Sequence, residues 1–342
     1  MTKEIQKELK RTIAPFEKSN LRNSTTQLLN TIIPFFLLWY IAYETLSVSY
    51  TITLLVTLLA AGFLVRIFII FHDCCHQSFL KNKKANEIIG TFTGILTLFP
   101  YHQWRHSHNI HHATSSNLNK RGTGDIWVMT VQEYCNATFW QRIAYRLYRH
   151  PIVMFGLGPF YLFFISNRFN RKGARMKERI NTYLTTILAT MLYSYMCWLI
   201  GWQAFLLVQA PILFISGSLG IWLFYIQHHF EDSYFEHEEN WDFVKAAVEG
   251  SSFYRLPKIL QWLTGNIGYH HVHHLSPRVP NYFLEEVHEQ NTPLKSVPTI
   301  TIRSSLHAIH YRLWDEGNKQ FVSFREIKKR VVRQKISHKM VE

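Results

Sequence analysis

The sequence predicts an all-α integral membrane protein with four transmembrane helices, arranged as two hairpins and capped by a mostly helical cytosolic domain. Two observations carry this. Hydrophobic residues make up 47% of the 342 residues, yet mean hydropathy is close to zero, so apolar and charged residues are segregated along the chain. The apolar residues gather in four long runs, and Lys and Arg cluster beside them.

The elements follow in order. Residues 1–25 are charged, unlike a cleaved leader, and read as a surface helix. Spans are expected at about 28–46 and 50–71, with a turn around Glu44 to Ser49 that carries no Lys or Arg. A second pair is expected at about 182–200 and 203–226, joined by Gly201, Trp202 and Gln203. The basic run Arg168, Arg171, Lys172, Arg175, Lys177 and Arg179 precedes it. Basic residues flank the membrane on one side only, so both termini and the bulk of the cap are placed in the cytosol, with the plasma membrane as the expected location. Two shorter apolar runs, about 88–101 and 151–165, are read as interfacial or buried against protein. The whole of 1–342 reads as one domain of this kind, with no internal repeat.

The formal net charge of +14 points to an acidic partner. The basic residues accompany apolar runs and no zinc-finger or RNA-binding signature, which excludes nucleic acid. Cys74, Cys75, Cys135 and Cys197 form no paired framework and indicate a reducing compartment.

Histidines carry the chemistry. His72 and His76 lie four apart at the cytosolic end of the second span, on one helical face. His108, His111 and His112 form a second cluster and His270, His273 and His274 a third, both in the pattern HxxHH. His228, at the end of the fourth span, mirrors His72 and is a ninth candidate. A single zinc site would use three or four ligands, so this many convergent imidazoles implies a di-metal centre in the cap. Imidazole suits iron, zinc and copper alike, so the residues leave the metal open. Each ligand needs its other ring nitrogen oriented, for which Asp73, Asp125, Asp232, His106, His229 and His271 are candidates. No His-Glu-x-x-His sequence occurs, which argues against a zinc protease. The spans hold almost no ionisable groups, which argues against a metal transporter.

The motifs HDCCH (His72 to His76), HSHNIHH (His106 to His112) and HHVHH (His270 to His274), with four spans, resemble the membrane fatty acid desaturases. The stretches His111 to Asn117, Arg121 to Trp127 and Gly265 to Tyr269 resemble bacterial Δ5 acyl-lipid desaturases of the Gram-positive type, a likeness running from about residue 25 to 325. The resemblance implies nine metal ligands: His72, His76, His108, His111, His112, His228, His270, His273 and His274. It also implies two iron ions, O₂ as co-substrate, and a cis double bond placed in saturated acyl chains of membrane phospholipids, with restored fluidity in the cold as the purpose. One departure stands out: Phe224 and Tyr225 occupy the turn before His228, where related proteins hold a water through a polar side chain. No fused haem or flavin motif is present, so electrons are expected from a separate acidic donor, a ferredoxin or flavodoxin. A hydroxylase or ketolase on the same scaffold is the alternative.

Overall fold

The computed structural model describes residues 3–329; the far C-terminus, part of the cytosolic expectation, and His338 lie outside the described residues. The N-terminal helix Lys3–Ile13 turns Leu9 and Ile13 into the cap core beside Val287 and Leu294, so it is docked. Among the described residues, four helices are long and apolar enough to cross a membrane: Leu21–Ser47, Tyr50–His76, Met176–Ile200 and Trp202–His228. At about 1.5 Å per residue each reaches beyond the hydrocarbon thickness of a bilayer. Leu29, Ile33 and Phe36 of the first helix, and Ile187, Met191 and Trp198 of the third, are exposed on their outer faces. So much unburied apolar surface calls for lipid.

Local chemistry sets where the helices begin and end. Asn20 caps the first, its side chain accepting from the Asn23 amide at 3.2 Å. The second ends at His76 because Gln77 adopts a left-handed conformation (φ 61°). It is the central element, packed on the first and fourth helices and on the helix Lys83–Thr97. A cation lies in its middle. Arg66 is buried, donates to Thr31 Oγ1 at 3.0 Å and to the Trp262 carbonyl, and stacks 4.0 Å from the Trp262 ring centroid. The bond to Thr31 joins it to the first membrane helix, and the contacts with Trp262 fasten it to the cap helix Lys258–Leu263.

Of the two shorter apolar runs, the first forms the helix Lys83–Thr97, which buries one face and exposes Ile88 and Phe92. The second is a broken helix with widened π-helical turns at Ile152–Leu157 and Tyr161–Ile165. It buries Met154 and Phe163 but exposes Leu157, Phe160, Phe164 and Ile165. The cap is otherwise short helices with two small sheets. Met129–Thr130 runs parallel to Leu313–Asp315, which pairs antiparallel with Gln320–Val322. Phe253–Arg255 runs parallel to Thr299–Thr301.

Candidate metal centre

Four helical segments deliver the histidines to one place. His72 and His76 occupy the last turns of Tyr50–His76, and His228 is the last residue of Trp202–His228. The helix Tyr101–Thr114, started by Pro100, carries His108, His111 and His112. The six-residue helix His270–Leu275 carries His270, His273 and His274.

The imidazoles form two groups. His72, His76, His108, His112 and His273 each offer a ring nitrogen within 4.8 Å of the others, and so do His111, His228 and His274. His270 joins the second group through two of its members, its Nε2 lying 3.0 Å from His228 Nε2 and 3.1 Å from His274 Nε2. Stacking of His112 on His274, centroids 4.3 Å apart, links the groups. The nine histidines expected to converge are thus brought together, five and four.

The spacing fits metal ions. Nε2 atoms face one another at 3.1 Å (His108 and His112), 3.0 Å (His112 and His273) and 3.2 Å (His111 and His228). Two nitrogens at right angles around an ion, each about 2.1 Å from it, sit about 3.0 Å apart. His76 Nε2 is buried within its group with no hydrogen-bond partner among the described residues. A buried lone pair left unpaired costs stability, and an ion in the five-histidine group would satisfy it. Burial also holds His108, His111, His112, His270, His273 and His274 well below the usual histidine range, in the neutral form that ligates.

Several residues orient the rings. Asp73 Oδ1 lies 3.1 Å from His72 Nδ1, and its Oδ2 accepts from the Asn281 amide (2.7 Å) and side chain (2.8 Å). His228 Nδ1 lies 3.1 Å from the Gly250 carbonyl, which requires the proton on Nδ1 and leaves Nε2 free to ligate. Trp104 stacks on His108. Phe224 packs against His111 and His228, centroids 5.0 and 5.4 Å away, so the turn before His228 presents an apolar ring to the four-histidine group. A cavity beside that group is lined by Phe224, Ile126, Val128 and Phe235 together with His111 and His228.

Four of the six expected orienting residues point elsewhere, and Asp125 is only adjacent. His271 Nε2 meets His288 Nδ1 at 3.0 Å, and burial pushes its pKa down to about 3. His229 stacks on Tyr225 and faces Arg149. His106 opens onto the cap surface with Arg105 and Arg175. Asp232 is exposed and hydrogen-bonds no ligand histidine among the described residues. Each of the three histidines neighbours a convergent face, where a step of one or two residues along a helix turns a side chain away by 100° or more. Asp125 lines the cavity but accepts from the Gly122 amide at 2.8 Å, not from a ligand. Trp104, Asn281, Gly250 and His288 make contacts at the site that the sequence alone does not predict. Only Trp104 carried a signal, lying four residues before His108.

Residues 49–302 match the fatty acid desaturase family. The chain belongs to that family. A fatty acid desaturase of Bacillus subtilis (strain 168) is 66% identical over 323 residues, spanning 94% of this chain and 92% of the relative. The sn-1 acyl-lipid omega-3 desaturase (ferredoxin) of Synechocystis sp. is 29% identical over 242 residues, 67% of this chain and 64% of the relative. The chloroplastic omega-6 fatty acid desaturase of Arabidopsis thaliana is 28% identical over 240 residues, 65% of this chain and 49% of the relative. The desaturase is accordingly an oxidoreductase acting on lipid, with four apolar helices and histidine clusters suited to a di-metal site.

Proposed function

We propose that this desaturase introduces a cis double bond at the Δ5 position of saturated acyl chains in membrane phospholipids, using two iron ions and O₂. The observation that carries the chemistry is the pair of buried, all-histidine groups. His72, His76, His108, His112 and His273 hold one ion, and His111, His228, His270 and His274 the other. Bound iron supplies the oxidising power toward an unactivated C–H bond that no side chain possesses. The protein supplies neutral ligands, tautomers fixed by Asp73 and the Gly250 carbonyl, and the apolar Phe224 beside the second group. Overall, two hydrogens leave neighbouring carbons and, with two electrons and two protons from outside, O₂ becomes two waters.

The Δ5 position is supported by the motif resemblance around His111 to Asn117, Arg121 to Trp127 and Gly265 to Tyr269. The acyl-lipid substrate and a ferredoxin-type donor are supported by the name of the Synechocystis relative; a flavodoxin fits the same net charge of +14. Basic flanks on one side of the spans support a plasma-membrane protein with its centre in the cytosol. The exposed apolar faces of Lys83–Thr97 and of the π-helical run support an interfacial position for both.

Expression in a host lacking unsaturated lipids, followed by mass spectrometry of intact lipids, tests this reading. A C5–C6 alkene in phospholipid acyl chains is expected. A double bond elsewhere overturns the Δ5 assignment, and hydroxy or keto lipids in its place restore the hydroxylase or ketolase reading.

A further inference from the structure

An open bowl lies on the cap where the helix Tyr101–Thr114 meets the cytosolic end of the third membrane helix. His102, Arg105, His106, Asn109, Arg175 and Lys177 line it. Its one acidic lining residue, Glu178, is held by Arg171 through two bonds of 2.9 Å. Lys177 is neutralised by Glu87 at 2.9 Å, and Glu87 also meets His102 at 3.1 Å. Once those pairs cancel, Arg105 and Arg175 remain without a carboxylate partner among the described residues. Two unmatched guanidinium groups facing a concave site are suited to a phosphate, which they bind through paired N–H donors.

Position narrows the ligand. Arg175 immediately precedes Met176–Ile200, at the height where lipid phosphates lie. Arg105 stands three residues before His108 on one helix, an axial rise of about 4.5 Å. In a glycerophospholipid about ten bonds separate phosphorus from the fifth acyl carbon, a reach of about 12 Å when extended at about 1.2 Å per bond. We propose that Arg105 and Arg175 bind the phosphate of the glycerophospholipid whose acyl chain is desaturated, fixing the distance from headgroup to reacting carbons. This rests on the acyl-lipid reading. The bowl's seven lining residues also suit one phosphate better than a redox protein, whose contact takes in about 20–30 residues on each side.

The full-length, iron-loaded protein and its R105Q/R175Q variant would be assayed on two detergent-dispersed substrates with identical palmitoyl chains. These are phosphatidylglycerol and a monoglucosyl diacylglycerol, which lacks phosphate. The variant's KM for phosphatidylglycerol is expected to rise about tenfold, with less than a twofold change for the glycolipid. Equal loss on both substrates that disappears as donor protein is raised would make the bowl a donor-docking surface and overturn the proposal. Inorganic phosphate changing both rates alike in wild type but not in the variant would make it a site for the free ion, which also overturns it. Unchanged kinetics in a variant with wild-type iron content would sink the headgroup site and leave the acyl-lipid reading standing. Wild type acting on neither lipid but on acyl thioesters would instead remove that reading, and the proposal with it.

Discussion

Trp104 lies along the face of His108, ring centroids 4.1 Å apart and planes 25° apart. The indole also stands edge-on to His72, centroids 5.7 Å apart, so one side chain braces two members of the five-histidine group. Aromatic contacts of this kind contribute about 0.5–1.5 kcal/mol each beyond burial. Trp104→Ala is expected to weaken metal retention about tenfold, with Trp104→Phe in between. Metal per chain after dialysis checks this; wild-type retention in the alanine variant would show that the stack does not hold His108.

Asp73 ties His72 to the far side of the cap, because the carboxylate that meets His72 Nδ1 also accepts both Asn281 donors. Asp73→Asn keeps the shape but removes the charge and one acceptor, and a loss of about 10–100-fold in metal affinity is expected. Asp73→Ala also strands the buried Asn281 donors, at a cost of about 1–3 kcal/mol. The alanine variant should therefore lose thermal stability even without metal, and the asparagine variant far less. Thermal melts of the two metal-free proteins compare them directly.

Much of this was legible in the residues. Hydropathy located the four spans because lipid demands about 20 apolar residues in a row, a signal few soluble helices imitate. The nine histidines converge because spacings of three and four residues share a helical face. The same rule, applied to His271 one step beyond His270, already points it away from the histidine groups and toward His288. Asn281 and the Gly250 carbonyl were not legible. They reach Asp73 and His228 across 208 and 22 residues, through loop geometry that no local pattern encodes. Arg66 was hidden for a related reason, since its partners Thr31 and the Trp262 carbonyl come from distant segments.

Metal removal should loosen the cap. Seven of the nine imidazoles crowd at 3.0–3.2 Å between facing Nε2 atoms, an arrangement favourable with ions between them and poor without. Chelation is expected to lower the melting temperature, and ferrous iron to restore it, with a dependence on free metal set by mass action. A midpoint indifferent to chelator, in protein shown to have lost its metal, would mean that the cage is rigid without its ions.

The packing around Gly90 makes the last test. A Cβ at Gly90 would sit 2.3 and 2.5 Å from two ring carbons of Tyr101 and 3.0 Å from Cys74 Cβ. Tyr101 cannot retreat: it is fully buried, its hydroxyl donates to the Cys74 carbonyl at 2.7 Å, and Gln77 donates to it at 2.6 Å. Tyr101 also begins the helix that carries His108, His111 and His112. Gly90→Ala should therefore displace that helix relative to the end of the second membrane helix, costing about 1–3 kcal/mol. Gly220, on the fourth membrane helix, has open space where its Cβ would lie, and Gly220→Ala is expected to be neutral. Melting temperature and metal content of the two variants, measured side by side, check the contrast. If Gly90→Ala melts and binds metal like Gly220→Ala, the close approach of these two helices does not position the centre.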